Sequence, residues 1–401
     1  MSPARHHDRP GRAAPSLLIV TTVPGTIASF LLPYADHLRA QGWRVDAATS
    51  PGSETAELVG RFDRLWPVRW SRRTLDPRNL TLGLLALRRV LRRGRFDLVH
   101  THTPVASLVT RLAVATLRPS RRPAVVYTAH GFHFGVSDRE GPAERLFAVL
   151  ERLGGRWTDR LVVINADDFD SARRRRLVSP DRLRHLPGIG VDLDWYRPTE
   201  AVADGAAQLR HHLGLSAGDA LFSMLAYFDP GKNHQLVLRA LSHLNRADIH
   251  VAFAGRGPLE ARLREEAARW GVASQVHFLG VVGDVRPLVA ASVATLLPSY
   301  REGLSRAVLE SLAMGVPVVG SRIRGITELV EPDGGLLVDP DDAGALAAAM
   351  EKILEDVGAC FDGAAVARRL EAYGIGPLLH AHDDLYNELL PQRRPERTPD
   401  R

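Results

Sequence analysis

The sequence predicts an α/β protein made of two Rossmann-like, doubly wound domains that face each other across a cleft. The chain has 401 residues, more than a single hydrophobic core usually spans. Short apolar runs alternate with helical patterns along almost the whole chain, which favours parallel sheets with helices on both faces. Ligands of such sheets bind at the carboxyl ends of the strands, so we expect the functional residues in the loops that follow them.

The strands are predicted from short runs of apolar residues bounded by polar residues. In the first half these runs are 17–21, 44–48, 98–100, 124–127, 161–164 and 184–186. In the second half they are 220–225, 249–254, 275–279, 293–297, 316–320 and 335–338.

The domain boundaries follow from this alternation. A polar stretch without a periodic pattern separates the two sets of strands and is interpreted as a linker. Both ends of the chain are charged and lack apolar anchors, so they are predicted to be disordered tails. The predicted division is a tail at 1–15, a first Rossmann-like domain at 16–197, a linker at 198–205, a second Rossmann-like domain at 206–374, a helix at 375–391 and a tail at 392–401.

The composition excludes several classes of protein. Apolar residues make up 45% and charged residues 24%, as in an ordinary globular protein. Cys360 is the only cysteine, which excludes an intrachain disulfide and a metal site built from several cysteines. No apolar run approaches the roughly 20 residues of a spanning helix, and residues 1–15 lack the apolar region of a signal peptide. We therefore expect a cytoplasmic protein.

The net charge of +6 is unevenly distributed. Residues 1–200 carry 32 arginines and 20 carboxylates, whereas residues 201–401 carry 20 basic and 26 acidic residues. Between Arg69 and Arg95, leucines recur at helical spacing among arginines. Such a basic amphipathic helix is compatible with docking on an anionic membrane surface, and equally with a core-packed helix that has a solvated basic face. Nucleic acid is a weaker candidate, because no recognition motif accompanies the arginines.

Two glutamates eight residues apart mark the most informative segment, residues 298–317. The apolar run before it predicts a strand, the following residues a polar loop that contains Glu302, and residues 305–314 a helix that carries Glu310. Ser305 is a typical helix N-cap. One carboxylate can then face a sugar and the other the hydroxyls of a ribose.

The start of this helix is a predicted anion site. The amides of Gly303, Leu304 and Ser305 are expected near the helix N-terminus, where the helix dipole favours a phosphate-like group. A diphosphate between the two carboxylates would complete the contacts of a nucleotide sugar.

The order of these features resembles the retaining glycosyltransferases of family 4, which have the GT-B fold. The shared order is a strand, a Glu-Gly loop, a helix with a second glutamate, and Gly-Val-Pro leading into another strand. Further segments resemble the branch of that family that makes exopolysaccharides and capsular polysaccharides; they begin at His100, Val125, Ile164 and Leu186. The resemblance covers roughly residues 16–390 and implies that the last helix crosses back onto the first domain.

The resemblance implies roles for two residues of the first domain. His130 follows a predicted strand and is implied to lie beside the donor sugar and its reacting carbon, as a catalytic residue with Glu302. Gly25, in the loop after the first strand, is implied to allow close approach to the donor. His133 is a candidate acceptor contact.

Lys232 is the implied contact of the donor diphosphate. The chain has two lysines among 52 basic residues, so a lysine here suggests a need for a compact ammonium group. Tyr227 stands where this family commonly has arginine and its exopolysaccharide branch often has glutamate. Without that arginine, either Lys232 and the amides near Gly303 are expected to neutralise the diphosphate alone, or another arginine, such as Arg256 in the Gly-Arg-Gly-Pro loop, is expected to help.

The resemblance implies a hexosyl- or N-acetylhexosaminyltransferase that moves a sugar from a nucleotide sugar, expected to be UDP-linked, to a glycan or lipid-linked acceptor. No cofactor and no metal are expected, and the sequence has no paired-cysteine or His-Glu-x-x-His motif. The enzyme is expected on the inner face of the plasma membrane if its arginines dock there. A GT-B sugar-nucleotide epimerase and a non-catalytic glycan- or lipid-carrier-binding protein are the alternatives.

Overall fold

The computed structural model describes residues 14–52, 55–71, 76–132, 134 and 141–390. His133 and most of the two predicted tails lie outside these residues. Within them the chain forms two parallel sheets, each covered by helices on both faces.

The first sheet has seven strands in the order β3-β2-β1-β4-β5-β6-β7. All of its strand pairs are parallel. The strands are β1 (Ser16–Val20), β2 (Arg44–Thr49), β3 (Arg64–Pro67), β4 (Leu98–His102), β5 (Ala124–Ala129), β6 (Arg160–Val163) and β7 (Leu183–His185).

The second sheet has six parallel strands in the order β10-β9-β8-β11-β12-β13. They are β8 (Ala220–Leu225), β9 (Ile249–Ala254), β10 (Val276–Gly280), β11 (Ala294–Leu297), β12 (Val318–Ser321) and β13 (Gly335–Val338). Every strand that the sequence predicts is present, with ends that differ by at most two residues. The strand that the sequence does not predict is β3, an edge strand with one buried residue and therefore no apolar run.

Helices of the first half connect these strands. They are α1 (Pro24–Thr26), α2 (Leu32–Ala40), α3 (Thr55–Leu58), α4 (Leu84–Gly94), α5 (Pro104–Ala115), α6 (Pro142–Gly154) and α7 (Ala166–Arg175). π-Helical turns occupy Ile27–Leu31 and Asn79–Gly83, and 3₁₀ turns occupy Pro119–Arg121, Gly155–Trp157 and Pro180–Arg182.

Helices of the second half are α8 (Glu200–His212), α9 (His234–Leu244), α10 (Glu260–Arg269), α11 (Arg286–Ala290), α12 (Arg306–Ala313), α13 (Thr327–Val330), α14 (Ala343–Glu355), α15 (Gly363–Leu370) and α16 (Ile375–Leu389). Four 3₁₀ turns lie at Pro230–Lys232, Ala273–Gln275, Val357–Ala359 and Glu371–Tyr373. Among the described residues, no helix combines the length and the apolar character needed to cross a bilayer.

The predicted linker at 198–205 is largely helical, a conformation that the sequence analysis does not predict. Helix α8 begins at Glu200, and the side chain of Thr199 caps it by accepting a hydrogen bond from the Val202 amide. The helix buries little apolar surface, mainly Val202 and Ala206. Because its first turns are rich in alanine and polar residues, the sequence shows no helical periodicity there.

The two faces of the first sheet are covered by helices from different parts of the chain. Helices α4, α5, α6 and α7 pack on one face. On the other face, α2 packs beside α16, whose Leu385, Tyr386 and Leu389 are buried against strand residues such as Leu17 and Val126. The last helix of the chain therefore completes the core of the first half.

Each sheet has one point where the strand order reverses direction. In the second sheet this point lies between β8 and β11, and in the first sheet between β1 and β4. The carboxyl ends of the strands at such a point leave a crevice in which doubly wound proteins bind ligands. The fold thus places the loops after β8, β11, β1 and β4 at the candidate site.

Candidate active site

Lys232 and Glu302 meet at the crevice of the second sheet. Lys232 lies in the turn after β8 and Glu302 in the loop after β11, and the lysine Nζ lies 2.6 Å from Glu302 Oε1. Both side chains are mostly buried, with 27% and 10% of their surface exposed. The structure therefore joins two predicted site residues that are 70 positions apart in the sequence.

The turn that carries Lys232 is fixed on both sides. The side chain of Asp229 accepts a hydrogen bond from the Lys232 amide at 3.2 Å. Asn233 adopts a left-handed conformation with φ of 60°, and its Nδ2 donates to the carbonyl oxygens of Pro298 and Pro340. These bonds hold the lysine against the loop after β11.

Helix α12 presents Glu310 to Tyr196, which is buried, and to Arg306, which is partly exposed. Glu310 Oε1 accepts hydrogen bonds from the Tyr196 hydroxyl at 2.7 Å and from Arg306 Nε at 2.5 Å. Arg306 also donates to the carbonyl oxygen of Ser29 in the first half. The carboxylate is therefore anchored beside the cleft.

The start of α12 is partly open to an anion. Ser305 caps the helix by accepting a hydrogen bond from the Val308 amide at 3.4 Å, as the sequence predicts. The amides of Gly303 and Leu304 make no hydrogen bond to the described residues. The Ser305 amide donates to the Gly325 carbonyl oxygen at 3.4 Å, so, unlike the amides of Gly303 and Leu304, it is already hydrogen-bonded within the protein.

His130 follows β5 on the opposite side of the cleft. Its Nε2 lies 3.0 Å from Nδ1 of His102, at the end of β4. Burial, with a smaller contribution from His382, lowers the pKa of His130 to about 4. The imidazole is therefore neutral near pH 7 and serves as a hydrogen-bonding group, not as a cation.

His102 belongs to a buried histidine cluster that also contains His100 and His382. His100 bonds to Tyr386 Oη at 2.6 Å and to Thr128 Oγ1 at 2.7 Å. Burial lowers the pKa of His100 and His102 well below the usual histidine value and that of His382 to about 4. The cluster is thus neutral and lies behind His130, in the interior of the first half.

The two halves touch where His130 meets the Glu302 loop. A Cβ atom on Gly303 would lie 1.7 Å from the carbonyl oxygen of His130, so a side chain cannot be accommodated there. Gly131 has φ of +127°, and a Cβ on it would lie 3.1 Å from Gly303 Cα. These two glycines allow the predicted catalytic loops to approach closely.

Three further residues from the sequence analysis lie in loops after strands. Gly25 lies in α1, directly after β1. Arg256 follows β9 and is exposed, and its carbonyl oxygen accepts a hydrogen bond from the Phe228 amide. Tyr227 is 52% exposed in the loop after β8.

Sequence reasoning assigned no role to Tyr196, Arg306 or His102. His102 lies in the segment that begins at His100 and resembles the exopolysaccharide branch, but that resemblance implies no role for His102. Tyr196 lies 114 positions from Glu310, so only the tertiary structure reveals their contact. In the described residues, no group of three or more His, Cys, Asp or Glu side chains is arranged so that it could hold a metal ion.

Comparison with known families divides the chain at the same place as the fold. A model described as "Glycosyl transferase 4-like domain" matches residues 25–188. A second model, "Glycosyl transferases group 1", matches residues 220–356. The first model covers β2 to β7 of the first sheet, and the second model covers all six strands of the second sheet.

Curated relatives are similar over most of the chain. A protein named glycosyltransferase EpsD of Bacillus subtilis is 29% identical over 352 residues, which cover 86% of this chain and 88% of that protein. The UDP-Gal:alpha-D-GlcNAc-diphosphoundecaprenol alpha-1,3-galactosyltransferase of Escherichia coli is 27% identical over 290 residues, covering 70% and 73%.

Solved structures show the same fold. Anabaena Alr3699/HepE, solved in complex with UDP, superposes with a TM-score of 0.75 at 18% identity over 93% of this chain and all of that chain. WaaG, a glycosyltransferase involved in lipopolysaccharide biosynthesis, has a TM-score of 0.71 at 20% identity over 92% and 99% of the two chains. The two facing parallel sheets are the GT-B fold, and the chain is a glycosyltransferase that joins a glycosyltransferase 4-like domain to a glycosyltransferase group 1 domain.

Proposed function

We propose that this enzyme transfers a sugar from a nucleotide sugar to a glycan or lipid-linked acceptor during assembly of a cell-surface polysaccharide, with retention of anomeric configuration. The observation that carries the proposal is the contact between Lys232 and Glu302 at the crevice between β8 and β11. The names of the relatives support the acceptor class, because one acts on a diphosphoundecaprenol-linked sugar and WaaG acts in lipopolysaccharide biosynthesis.

Charge stabilisation is the main chemistry that these residues can supply. The bond from the sugar to the nucleotide diphosphate breaks, and negative charge develops on the departing phosphate. Lys232 and the amides of Gly303 and Leu304 lie on one side of the cleft and can stabilise that charge from fixed positions. The departing phosphate then takes the proton of the attacking acceptor hydroxyl on the same face of the sugar.

Glu302 orients the donor sugar in this proposal and does not attack it. Retaining hydrolases place a nucleophilic carboxylate on the face opposite the leaving group. Here the carboxylate is bonded to the lysine that is assigned to the leaving group, so both lie on one side. His130, which is neutral near pH 7, is suited to a hydrogen bond with a sugar hydroxyl.

We propose a uridine nucleotide as the donor. HepE has been solved with UDP and with UDP-glucose, and the Escherichia coli relative uses UDP-Gal. Glu310 is assigned to the ribose hydroxyls, and its anchoring by Tyr196 and Arg306 supports a fixed acceptor of hydrogen bonds.

A panel of uridine and guanosine sugars, followed by mass spectrometry, tests the proposal. We expect at least one donor to be hydrolysed slowly alone and transferred when a lipid-linked acceptor is added. Conversion of a donor into its epimer without transfer would indicate the epimerase alternative. Binding of glycan or carrier lipid without turnover of any donor would indicate a non-catalytic partner.

We propose further that one side of the first half docks on an anionic membrane. The residues Leu87, Val90 and Leu91 of α4 are buried, so the core-packed interpretation holds for that face of the helix. Other apolar side chains on this side of the sheet are exposed, and they make up six of the thirteen large exposed apolar residues in the described chain. They are Leu80, Leu82, Leu85, Leu146, Val149 and Leu153.

A basic groove continues this surface. It has a volume of about 1000 Å³ between α6, α7 and the turn at Pro180–Arg182, and none of its lining residues is acidic. Its arginines are Arg152, Arg156, Arg173, Arg176 and Arg182. Exposed apolar residues beside arginines are the composition of a surface that lies on anionic lipid.

A further inference from the structure

Arg324 forms a buried ion pair between the two halves of the enzyme. It lies in the loop between β12 and α13, and its Nη1 is 2.6 Å from Oδ1 of Asp168 on α7. The two side chains are 7% and 0% exposed. Burying two charges is costly unless both are fully bonded, so this pair must hold a defined geometry to persist.

The same guanidinium also holds the chain that follows His130. Its Nη1 donates to the carbonyl oxygen of Phe134 at 3.3 Å, and its Nη2 donates to that of Phe132. Arginine suits this position because its planar group donates in several directions at once, whereas an ammonium group is a single point of charge.

Asp168 carries the connection back to the Glu302 loop. Its Oδ2 accepts hydrogen bonds from the Phe132 amide at 3.2 Å and from Asn165 Nδ2 at 2.9 Å. Asn165 Nδ2 also lies 2.9 Å from the carbonyl oxygen of Gly303. One connected set of bonds therefore joins Arg324, Asp168 and Asn165 to the loops of both predicted catalytic residues.

A second contact between the halves lies beside this network. Glu328, at the start of α13, accepts a hydrogen bond from the Ala166 amide at the start of α7. The Gly325 that follows Arg324 lies against Gly303, since a Cβ on it would be 2.1 Å from the Gly303 carbonyl oxygen. The loop that contains Arg324 thus touches the 302–303 loop directly, and Arg324 reaches the 130–132 loop both by its own bond to the Phe132 carbonyl oxygen and through Asp168.

We infer that Arg324 is a positioning residue, which fixes His130 against Glu302 by bonding to Asp168 across the cleft. It touches neither donor nor acceptor in the proposed function, on which this inference rests. The nucleotide contacts assigned to Lys232 and Glu310 lie on the second half alone, so loss of Arg324 should spare nucleotide affinity. Transfer needs both halves in register, and a displacement of about 1 Å can cost roughly 100-fold in rate.

The test compares four variants. Arg324→Met is expected to lower kcat about 100-fold while the Kd for UDP, measured by calorimetry, stays within about twofold. Arg324→Lys keeps the charge beside Asp168 and should restore part of the rate. Arg324→Met combined with Asp168→Asn leaves no unpaired buried charge, so it should regain thermal stability without regaining kcat.

Arg322→Met is the matched control. Arg322 lies two residues away and forms an exposed ion pair with Glu331 inside the second half, so its removal should leave kcat unchanged. A rate in the double variant equal to that of the unmodified enzyme would overturn the inference, because Arg324 would then serve stability alone. Equal losses in kcat and UDP affinity for Arg324→Met would overturn it as well.

A distance measurement separates this inference from the proposed function. Spin labels at the exposed helical positions Ala56 and Ala268, in a Cys360→Ser background, report the separation of the halves. We expect Arg324→Met to broaden or lengthen that distance in the presence of UDP, whatever donor the enzyme uses. An unchanged distribution overturns the inference, whereas failure of every donor sugar with a changed distribution overturns only the proposed function.

Discussion

Lys232 is one of two lysines in the chain, and it is bonded to Glu302 in the cleft. Lys352, the other lysine, is exposed on α14. We expect Lys232→Ala to lower the transfer rate at least about 100-fold, the cost of removing one preorganised group that stabilises developing charge. Lys352→Ala is the control and should be unchanged in the same kinetic assay. Equal rates for the two variants would mean that the diphosphate is held elsewhere.

Loss of Glu310 and loss of Glu302 are expected to have different effects, one on the affinity for the nucleotide sugar and the other on the rate of transfer. Glu310→Ala should weaken nucleotide-sugar binding, because the residue is assigned to the ribose. Glu302→Ala should chiefly slow transfer, because the residue is assigned to the sugar. Calorimetry and steady-state kinetics on both variants separate affinity from rate.

Tyr196→Phe controls for the structural part of the Glu310 effect. It removes the hydroxyl that donates to Glu310 but leaves the carboxylate in place. A loss of affinity as large as that of Glu310→Ala would show that the anchoring, and not the carboxylate, matters. Unchanged affinity and rate in both glutamate variants would contradict their assignment.

The ends of β4 and β5 together with α16 enclose four histidines whose charge depends on folding. In the folded protein the pKa of His130 and His382 is about 4, and that of His100 and His102 is well below the usual 6.5, because burial disfavours the charged form. Between about pH 4 and 6.5 the unfolded chain therefore binds more protons. The contribution of these histidines to the free energy of unfolding is fully present above pH 6.5. It is lost as the pH falls, by about 1.4 kcal/mol per pH unit for each histidine that stays neutral in the folded protein.

Urea unfolding between pH 5 and 7.5 measures this loss. Tyr34, Tyr386 and Asp383 also face the cluster, and none of them acquires a positive charge in this range. We expect His382→Gln to reduce the slope of stability against pH, whereas His211→Gln, on the exposed part of α8, should leave it unchanged. A slope that is the same in all three proteins would contradict the prediction.

Most strands were predictable because they are buried on both faces and read as continuous apolar runs, as in β1 and β8. β3 was not, because an edge strand with charged residues has no such run. The helical conformation of residues 200–205 was not predicted, because α8 buries only one narrow stripe. The local pattern of apolar residues therefore identifies the strands and helices that bury most of their surface. It misses elements such as β3 and α8, which bury few residues.

The sequence indicates candidate site residues where a motif lies within one loop and its helix, but it does not indicate the contacts between separate loops. Glu302, Ser305 and Glu310 form such a local unit, and the cap at Ser305 is confirmed. The bond between Arg324 and Asp168 joins residues 156 positions apart, and nothing in their local sequence indicates a partner. Contacts between the halves depend on how the two domains dock. The spacing of apolar residues along the sequence carries no information about that docking.

At the scale of the whole molecule, the basic excess of the first half gives a prediction about membranes. We expect the enzyme to co-sediment with vesicles that contain phosphatidylglycerol, and less so as salt rises, because exposed charges are screened over roughly 8 Å at physiological ionic strength. Arg152→Gln, Arg156→Gln and Arg176→Gln together should weaken binding about 100-fold, at roughly 1 kcal/mol for each charge.

Apolar variants complete the membrane test. Val149→Ser with Leu153→Ser should also weaken sedimentation. Val357→Ser should not, because Val357 lies on the second half, although its exposure of 46% falls between the 63% of Val149 and the 37% of Leu153. Absence of binding at low salt would leave these arginines as a solvated surface.

Helix α16 has a consequence for how the chain is made. Its Tyr386 bonds to His100, 286 positions earlier, and its apolar residues fill the core of the first half. The helix formed by residues 375–389 is the last described helix to leave the ribosome. The first half is therefore translated long before the helix that covers one face of its sheet. During that interval the surface around Leu17 and Val126 is exposed, and a transient chaperone contact or the neighbouring second half must shield it. For the same reason, an expression boundary drawn between the two matched domains would yield a first half that lacks part of its own core.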